Sequence, residues 1–220
     1  MALSFPFERF DALSALPDCI HAFTRRIPGI DVTHDKAEVL RRLDAAHREI
    51  RREIGLAEWP LLTAEQVHGD KIAIIDQAPT SNKEFAGCDG FITNQRGIAL
   101  GIHVADCCAV YIVDPKTPAI GLVHSGKKGT ELGIAAKAVQ QMCHKFGSNP
   151  ADMIVQLSPC IRPPHYEIDF AADIVAQCRA QGVNQIHDSG ICTACDPDLY
   201  YSYRAEKGKT GRMLALLGLR

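Results

Sequence analysis

Residues 97–114, GIALGIHVADCCAVYIVD, constrain the fold more than any other stretch of this chain. The segment is almost wholly apolar and rich in Val and Ile, the composition of a strand buried in a core. Yet His103, Asp106, Cys107 and Cys108 stand in its middle. A charge buried without a partner is costly. The expectation is a strand that breaks at Asp106, resumes as AVYIVD, and brings polar side chains to a site at the break. His103, alternating with apolar positions, reads as structural, and Cys108 as pointing into the core.

The flanking sequence reads as more strands than helices. CIHAFTRR (19–26) is a first strand. DKAEVLRRLDAAHREIRREIGL follows as a helix, with Val39, Leu40, Leu43, Ala46, His47, Ile50 and Ile54 at helical spacing. Asp35 with Glu38 has the pattern of an N-terminal cap, and Gly55 ends the helix. The opposite face, with Arg41, Arg42, Arg48, Arg51 and Arg52, reads as solvated. AEQVHGDKIAIID (64–76) reads as strand, tight turn at Gly69, strand. CDGFITN, GIALGIHVA and PAIGLVH (118–124) are further strands. A helix is expected from about Thr130 to Phe146, its apolar stripe running from Leu132 to Phe146. DMIVQLSPCI is a strand entering a Pro-rich loop, and DFAADIVAQCRAQG a short helix capped by Asp169 and closed by Gly182. RMLALLGL is ambiguous between strand and helix. There is no repeat and no clear linker, so the pattern predicts one α/β domain over residues 1–220.

The 220 residues carry a formal net charge of −2, which gives no reason to expect nucleic acid or a membrane surface as partner. No run of about 18 apolar residues predicts a membrane span. The start, MALSFPFERFDALSALPD, does not read as a signal peptide. Nine cysteines, an odd number at irregular spacing, then point to a reducing, cytoplasmic setting. Cys19, Cys143 and Cys178 read as small buried hydrophobes. The pair in CTAC (192–195) is half of a structural zinc site whose second pair is missing.

Three metal-capable side chains end apolar segments: His68 after EQV, Cys107 at the break after HVAD, and His124 after AIGLV. Two imidazoles and a thiolate suit zinc, and three protein ligands leave a fourth position open, the arrangement of a catalytic site. Each histidine taken alone fits a hydrogen-bonded core or surface residue better than a ligand. The loop SGKKGT runs a strand into a helix through two glycines, with Lys127 and Lys128 beside free backbone N–H groups. That favours an anion, although an ordinary strand–helix connection has the same pattern. The spacing is not that of a Walker loop.

EQVHG, CDGFIT, GIALGIHVADC, VHSGKKGT, LSPCIRPPHYEID and SYRAEKGKTGRM occur in the order typical of the laccase-domain family, once labelled multi-copper polyphenol oxidoreductases. The chain resembles that family from residue 21 to about 217. The resemblance implies one domain of layered helices and mixed sheets. It implies a zinc-dependent purine nucleoside phosphorylase with adenosine deaminase activity, its metal held by His68, Cys107 and His124. It matches Arg26, after HAFT, to the family's arginine. Phosphate recognition would then fall to Arg26, Lys127, Lys128 and the helix N-terminus. Arg204 is a further candidate, although it and Arg212 read equally as salt-bridged surface arginines. Asp106 would face the pocket as a catalytic or positioning group, or be a turn aspartate capping local N–H groups. Against the family pattern HAGWRGT this chain has HSGKKGT, so Lys127 and Lys128 replace Trp and Arg. The loop after the first strand is shortened to IPGIDVTH, and Ser158-Pro159 replaces Gly-Pro. These departures bear on the substrate and leave the metal set intact.

Phosphorolysis would use phosphate to displace the purine from the ribose carbon; deamination would use a water whose pKa the metal lowers. The H-x-E…P-C-x-x-C pattern of the common zinc deaminases is missing. True laccase chemistry needs clustered histidines, and these nine are scattered without an H-x-H pair, though copper outcompetes zinc at many N/S sites in purified samples. Two other readings stand. In one, Cys107 is the nucleophile and His124 the base of a metal-free amidase acting on a peptidoglycan precursor, in keeping with the family branch named for peptidoglycan editing. In the other, the chain is a non-catalytic metal-binding member.

Overall fold

A computed structural model describes residues 6–220. In chain order the elements are β1 (Phe7–Glu8), α1 (Asp11–Ser14), β2 (Cys19–Thr24), α2 (Lys36–Glu53), β3 (Leu61–Ala64), β4 (Ile72–Ile75) and β5 (Lys83–Phe85). Then come β6 (Gly90–Thr93), β7 (Ala99–Val104), β8 (Cys108–Asp114), β9 (Ala119–Ser125), α3 (Lys127–Glu131) and α4 (Ile134–Phe146). After a 3₁₀ turn at Pro150–Asp152 the chain closes with β10 (Ile154–Leu157), α5 (Phe170–Ala180), β11 (Gln185–Asp188) and β12 (Met213–Leu219).

The strands form two mixed six-stranded sheets, ordered β1-β2-β12-β7-β3-β5 and β11-β10-β8-β9-β6-β4. Strands β8 and β12 are buried along their whole length because both faces are covered. In β8, Ala109, Tyr111 and Val113 face the core between the sheets. Cys108, Val110 and Ile112 face a second core under α4 and α5. In β12, Ala215 and Leu217 enter the inter-sheet core, while Leu214 and Leu216 pack outward against Ile54 and Leu56 after α2. Two covered faces remove the apolar–polar alternation, which is why RMLALLGL had no readable period. It is a central strand.

Several sequence expectations change. AEQVHGDKIAIID is no hairpin: β3 lies in one sheet and β4 in the other, and residues 65–71 cross between them. The helix expected from Thr130 is two, broken at Gly133 (φ +74), which leaves Leu132 40% exposed instead of on an apolar stripe. Arg51 leaves the arginine face and is buried, donating to the Leu56 and Trp59 carbonyls after α2. Asp35 does cap α2 through the Glu38 amide at 3.0 Å, but the Glu38 carboxylate pairs with Arg41 and Arg42 instead of closing a capping box. Cys178 is buried, whereas Cys19 and Cys143 are only half-buried; all nine cysteines are free. No helix among the described residues is long and apolar enough to cross a membrane.

Candidate metal centre and its cleft

The β8–β9 ladder builds the centre. Its register sets Cys108 opposite Ser125 and Ala109 opposite His124. Cys107 therefore lies just past the end of the ladder, beside Gly126. Asp106 makes the turn at φ +80, a backbone that a short polar residue tolerates. This turn faces Cys107 to the cleft and packs Cys108 in the core under α4 and α5. His68 arrives on the crossing loop. Gln66 and His68 both have φ near +61. The buried Gln66 side chain holds the loop to β7, donating to the His103 carbonyl at 2.6 Å and accepting its amide at 2.9 Å.

The ligand atoms of His68, Cys107 and His124 all lie within 4.8 Å of one another. The two imidazoles meet edge to face at 4.8 Å between centroids. Fully buried Asp89, just before β6, fixes both. Its carboxylate accepts the amides of Val67, His68 and Gly69 at 3.2, 2.8 and 2.7 Å. It also lies 2.9 Å from His124 Nδ1, which turns His124 Nε2 toward the centre. Glycines clear the space. A Cβ on Gly126 would sit 2.4 Å from Cys107 Sγ, and one on Gly90 2.8 Å from Val123 Cα.

Electrostatics match this geometry. Burial would push the Cys107 thiol up, but the His124 charge and hydrogen bonds from His124 and His68 outweigh it and bring it down to about 6. Burial would lower His124, but the Cys107 thiolate and Asp89 raise it to about 9. Burial opposes ionisation of Asp89, yet His124 and the loop amides hold its carboxyl below the ordinary range. Two imidazoles, a ready thiolate and a carboxylate orienting one imidazole are a donor set that fits a divalent metal such as zinc.

The three residues open on a cleft of ≈ 890 Å³, within the range for small-molecule sites. Lys127, Lys128, Arg204 and Arg212 line it with Tyr166 and Tyr203. Arg204 lies over the Tyr166 ring at 4.9 Å and pairs with Glu167 at 3.2 Å. Half-buried His103 reaches this wall as well. Asp106 lines the cleft, but both its oxygens are engaged. Oδ1 accepts the Thr193 hydroxyl at 2.7 Å, and Oδ2 the Arg204 amide at 2.7 Å. Arg26 is not a cleft residue. Its guanidinium pairs with Glu206 at 2.7 Å and stacks over Tyr201 at 4.4 Å, apart from the other residues expected to meet phosphate.

The sequence alone assigned no role to Asp89, Gln66 or Thr193. For Asp89 the one signal was an acid set between a cysteine and a glycine at the start of an apolar strand.

The family model described as multi-copper polyphenol oxidoreductase laccase matches residues 28–177 and 165–220. The chain is 32% identical over 209 residues to purine nucleoside phosphorylase YlmD of Geobacillus stearothermophilus, covering 75% of this chain and 76% of that protein. It is 29% identical over 202 residues to the protein of the same name from Bacillus subtilis, covering 75% and 72%. The crystal structure of YlmD from Geobacillus stearothermophilus superposes with a TM-score of 0.79 over 99% of this chain and all of that one, at 24% identity. A hypothetical protein YfiH of Bacillus licheniformis gives 0.80 at 23% identity, over 100% and 98%. These two solved structures speak for the fold. The match across nearly all of residues 28–220 places this chain in the multi-copper polyphenol oxidoreductase laccase family, among relatives named purine nucleoside phosphorylases.

Proposed function

We propose that this chain is a zinc-dependent purine nucleoside phosphorylase that also deaminates adenosine. The observation that carries the reading is the convergence of His68, Cys107 and His124 in a cleft also lined by basic and aromatic side chains. The relatives named purine nucleoside phosphorylase point to the same substrates, a nucleoside and phosphate.

His68, Cys107 and His124 would hold the zinc, which supplies Lewis acidity to an oxygen in the cleft. Lys127 and Lys128, at the positions of the family's Trp and Arg, add positive charge for phosphate. Arg204 and Arg212 face the same space, and a guanidinium can grip a phosphate with two parallel hydrogen bonds. The 56% exposed ring of Tyr203 is available to a purine face, a task for which Lys127 is unsuited. Asp106 acts as a positioning residue. Its carboxylate ties the Thr193 turn and the Arg204 backbone to the strand end that carries Cys107. In phosphorolysis a phosphate oxygen bonds to the ribose C1′, the bond from C1′ to the purine nitrogen breaks, and the base leaves with a proton.

The test is metal content and turnover in His68→Ala, Cys107→Ala and His124→Ala. Each is expected to lose the zinc of this centre and nucleoside cleavage together; full activity in any one overturns the three-ligand site.

One observation favours a second reading. Without a metal, Cys107 and His124 form a thiolate–imidazolium pair, with Asp89 orienting the imidazole, the geometry of a cysteine hydrolase for amide substrates such as peptidoglycan precursors. That enzyme would survive chelation, die on alkylation of Cys107 and tolerate His68→Ala. The zinc enzyme would die on chelation and be shielded from alkylation by its metal.

A further inference from the structure

A second cluster lies outside the metal centre. His165, Cys192 and Cys195 bring their ligand atoms within 4.8 Å of one another. His165 Nδ1 is 3.6 Å from Cys192 Sγ and 3.4 Å from Cys195 Sγ. A tetrahedral zinc, with bonds of about 2.05 Å to nitrogen and about 2.3 Å to sulfur, sets N and S about 3.6 Å apart. Both distances match that span before any metal draws the ligands in.

The backbone is shaped for the cluster from both sides. Cys195 N donates to the Cys192 carbonyl at 3.1 Å, closing the C-x-x-C segment into a tight turn that aims two thiols the same way. Opposite it, His165 N donates to the Arg162 carbonyl at 2.9 Å, making a second turn that presents the imidazole. A bridge between Cys160 and Cys192 joins the segments before these turns. The half-site in CTAC thus finds its missing partner 27 residues upstream of Cys192, in a loop where the sequence shows no ligand spacing.

We infer that His165, Cys192 and Cys195 form a second zinc site, separate from the His68–Cys107–His124 centre. Two thiols and an imidazole select a thiophilic ion, and zinc needs no redox partner. His165 and Cys195 are exposed and Cys192 half-buried, so water can complete the fourth position. Binding would displace the thiol protons and tie two loops that otherwise meet through weak sulfur contacts.

The site's place in the fold gives it a purpose. Between the two cysteines, Thr193 donates to Asp106, the neighbour of Cys107. Next to His165, Tyr166 forms cleft wall beneath Arg204. A zinc here would brace the wall of the cleft from outside, without touching substrate.

The test is zinc stoichiometry of the full chain, loaded under reducing conditions and desalted, measured by elemental analysis for wild type, Cys195→Ser, His165→Gln and Cys107→Ser. Two zinc ions per chain in wild type, falling to one in every variant, is the expected result. Cys195 and His165 are exposed, so their replacement leaves the cores intact. One ion that Cys107→Ser loses and Cys195→Ser keeps would overturn this site and leave the proposed function standing. One ion that Cys195→Ser loses and Cys107→Ser keeps would support this site and sink the catalytic centre. Cobalt loading gives a second readout: thiolate-to-cobalt absorption is expected to fall by about two-thirds when both Cys192 and Cys195 are replaced, since two of the three ligating thiolates are theirs.

Discussion

Asp89 and His124 sit 2.9 Å apart, carboxylate Oδ1 to ring Nδ1, at the start of one strand and near the end of its neighbour. The same carboxylate collects three amides of the loop that carries His68. One buried acid therefore orients the imidazole of one candidate ligand and the backbone of another. Asp89→Asn keeps the shape but puts an N–H₂ where N–H donors point. Zinc affinity is expected to fall about 10–100-fold, with a stability loss of about 1–3 kcal/mol from buried donors left unpaired. Calorimetric zinc titration and thermal melting of the variant check both; unchanged zinc affinity would remove Asp89 from the centre.

Gly126 tests the thiolate position without a backbone penalty. Its φ of −98° and ψ of −168° are extended geometry open to any residue. The Cβ of Gly126→Ala, however, would fall 2.4 Å from Cys107 Sγ. The sulfur must move, and a displacement of about 1 Å costs about 100-fold in turnover. The expected variant is folded by circular dichroism, with turnover down by about that factor. Activity within about twofold of wild type would show that Cys107 need not occupy its observed place.

Two buried histidines away from the cleft make the fold sensitive to acid. His21 and His47 are both lowered to about 4, chiefly by burial. His21 Nε2 accepts the Phe10 amide at 2.8 Å, and His47 Nε2 has no partner. Above the unfolded pKa of about 6.5 both states are neutral and stability is flat with respect to these groups. Between about 6.5 and about 4 the unfolded chain takes up protons that the fold refuses. Stability is lost as pH falls, by up to about 1.4 kcal/mol per pH unit for each histidine. Urea melts at pH 7 and pH 5 measure the slope. His47→Leu is expected to remove about half of the contribution from this pair; an unchanged slope would contradict it.

How legible all this was depended on whether a signal is local. His68, Cys107 and His124 were readable because each interrupts or ends an apolar segment, where a polar side chain needs a reason. Their meeting was not, since it depends on the β8–β9 register and on a loop crossing between sheets. Gly69 made that loop resemble a hairpin turn, and nothing in residues 64–76 says that the two strands pair with different neighbours. Short strands such as Lys83–Phe85 and Gln185–Asp188 have too few residues for a period and lie at sheet edges. Arg51 looked solvated because its partners, two carbonyls beyond α2, are set by chain reversal; the Glu206 partner of Arg26 is set by tertiary contact. The C-x-x-C pair was visible, but its histidine was not, for the same reason.

The most direct test of the central claim is chromatography of adenosine and inosine incubated with zinc-loaded protein, with and without phosphate, and with a chelator control. The account predicts free adenine and hypoxanthine that appear only with phosphate and vanish with the chelator, alongside inosine formed from adenosine without phosphate. Both nucleosides returning unchanged, from protein that demonstrably holds zinc at His68, Cys107 and His124, would contradict it.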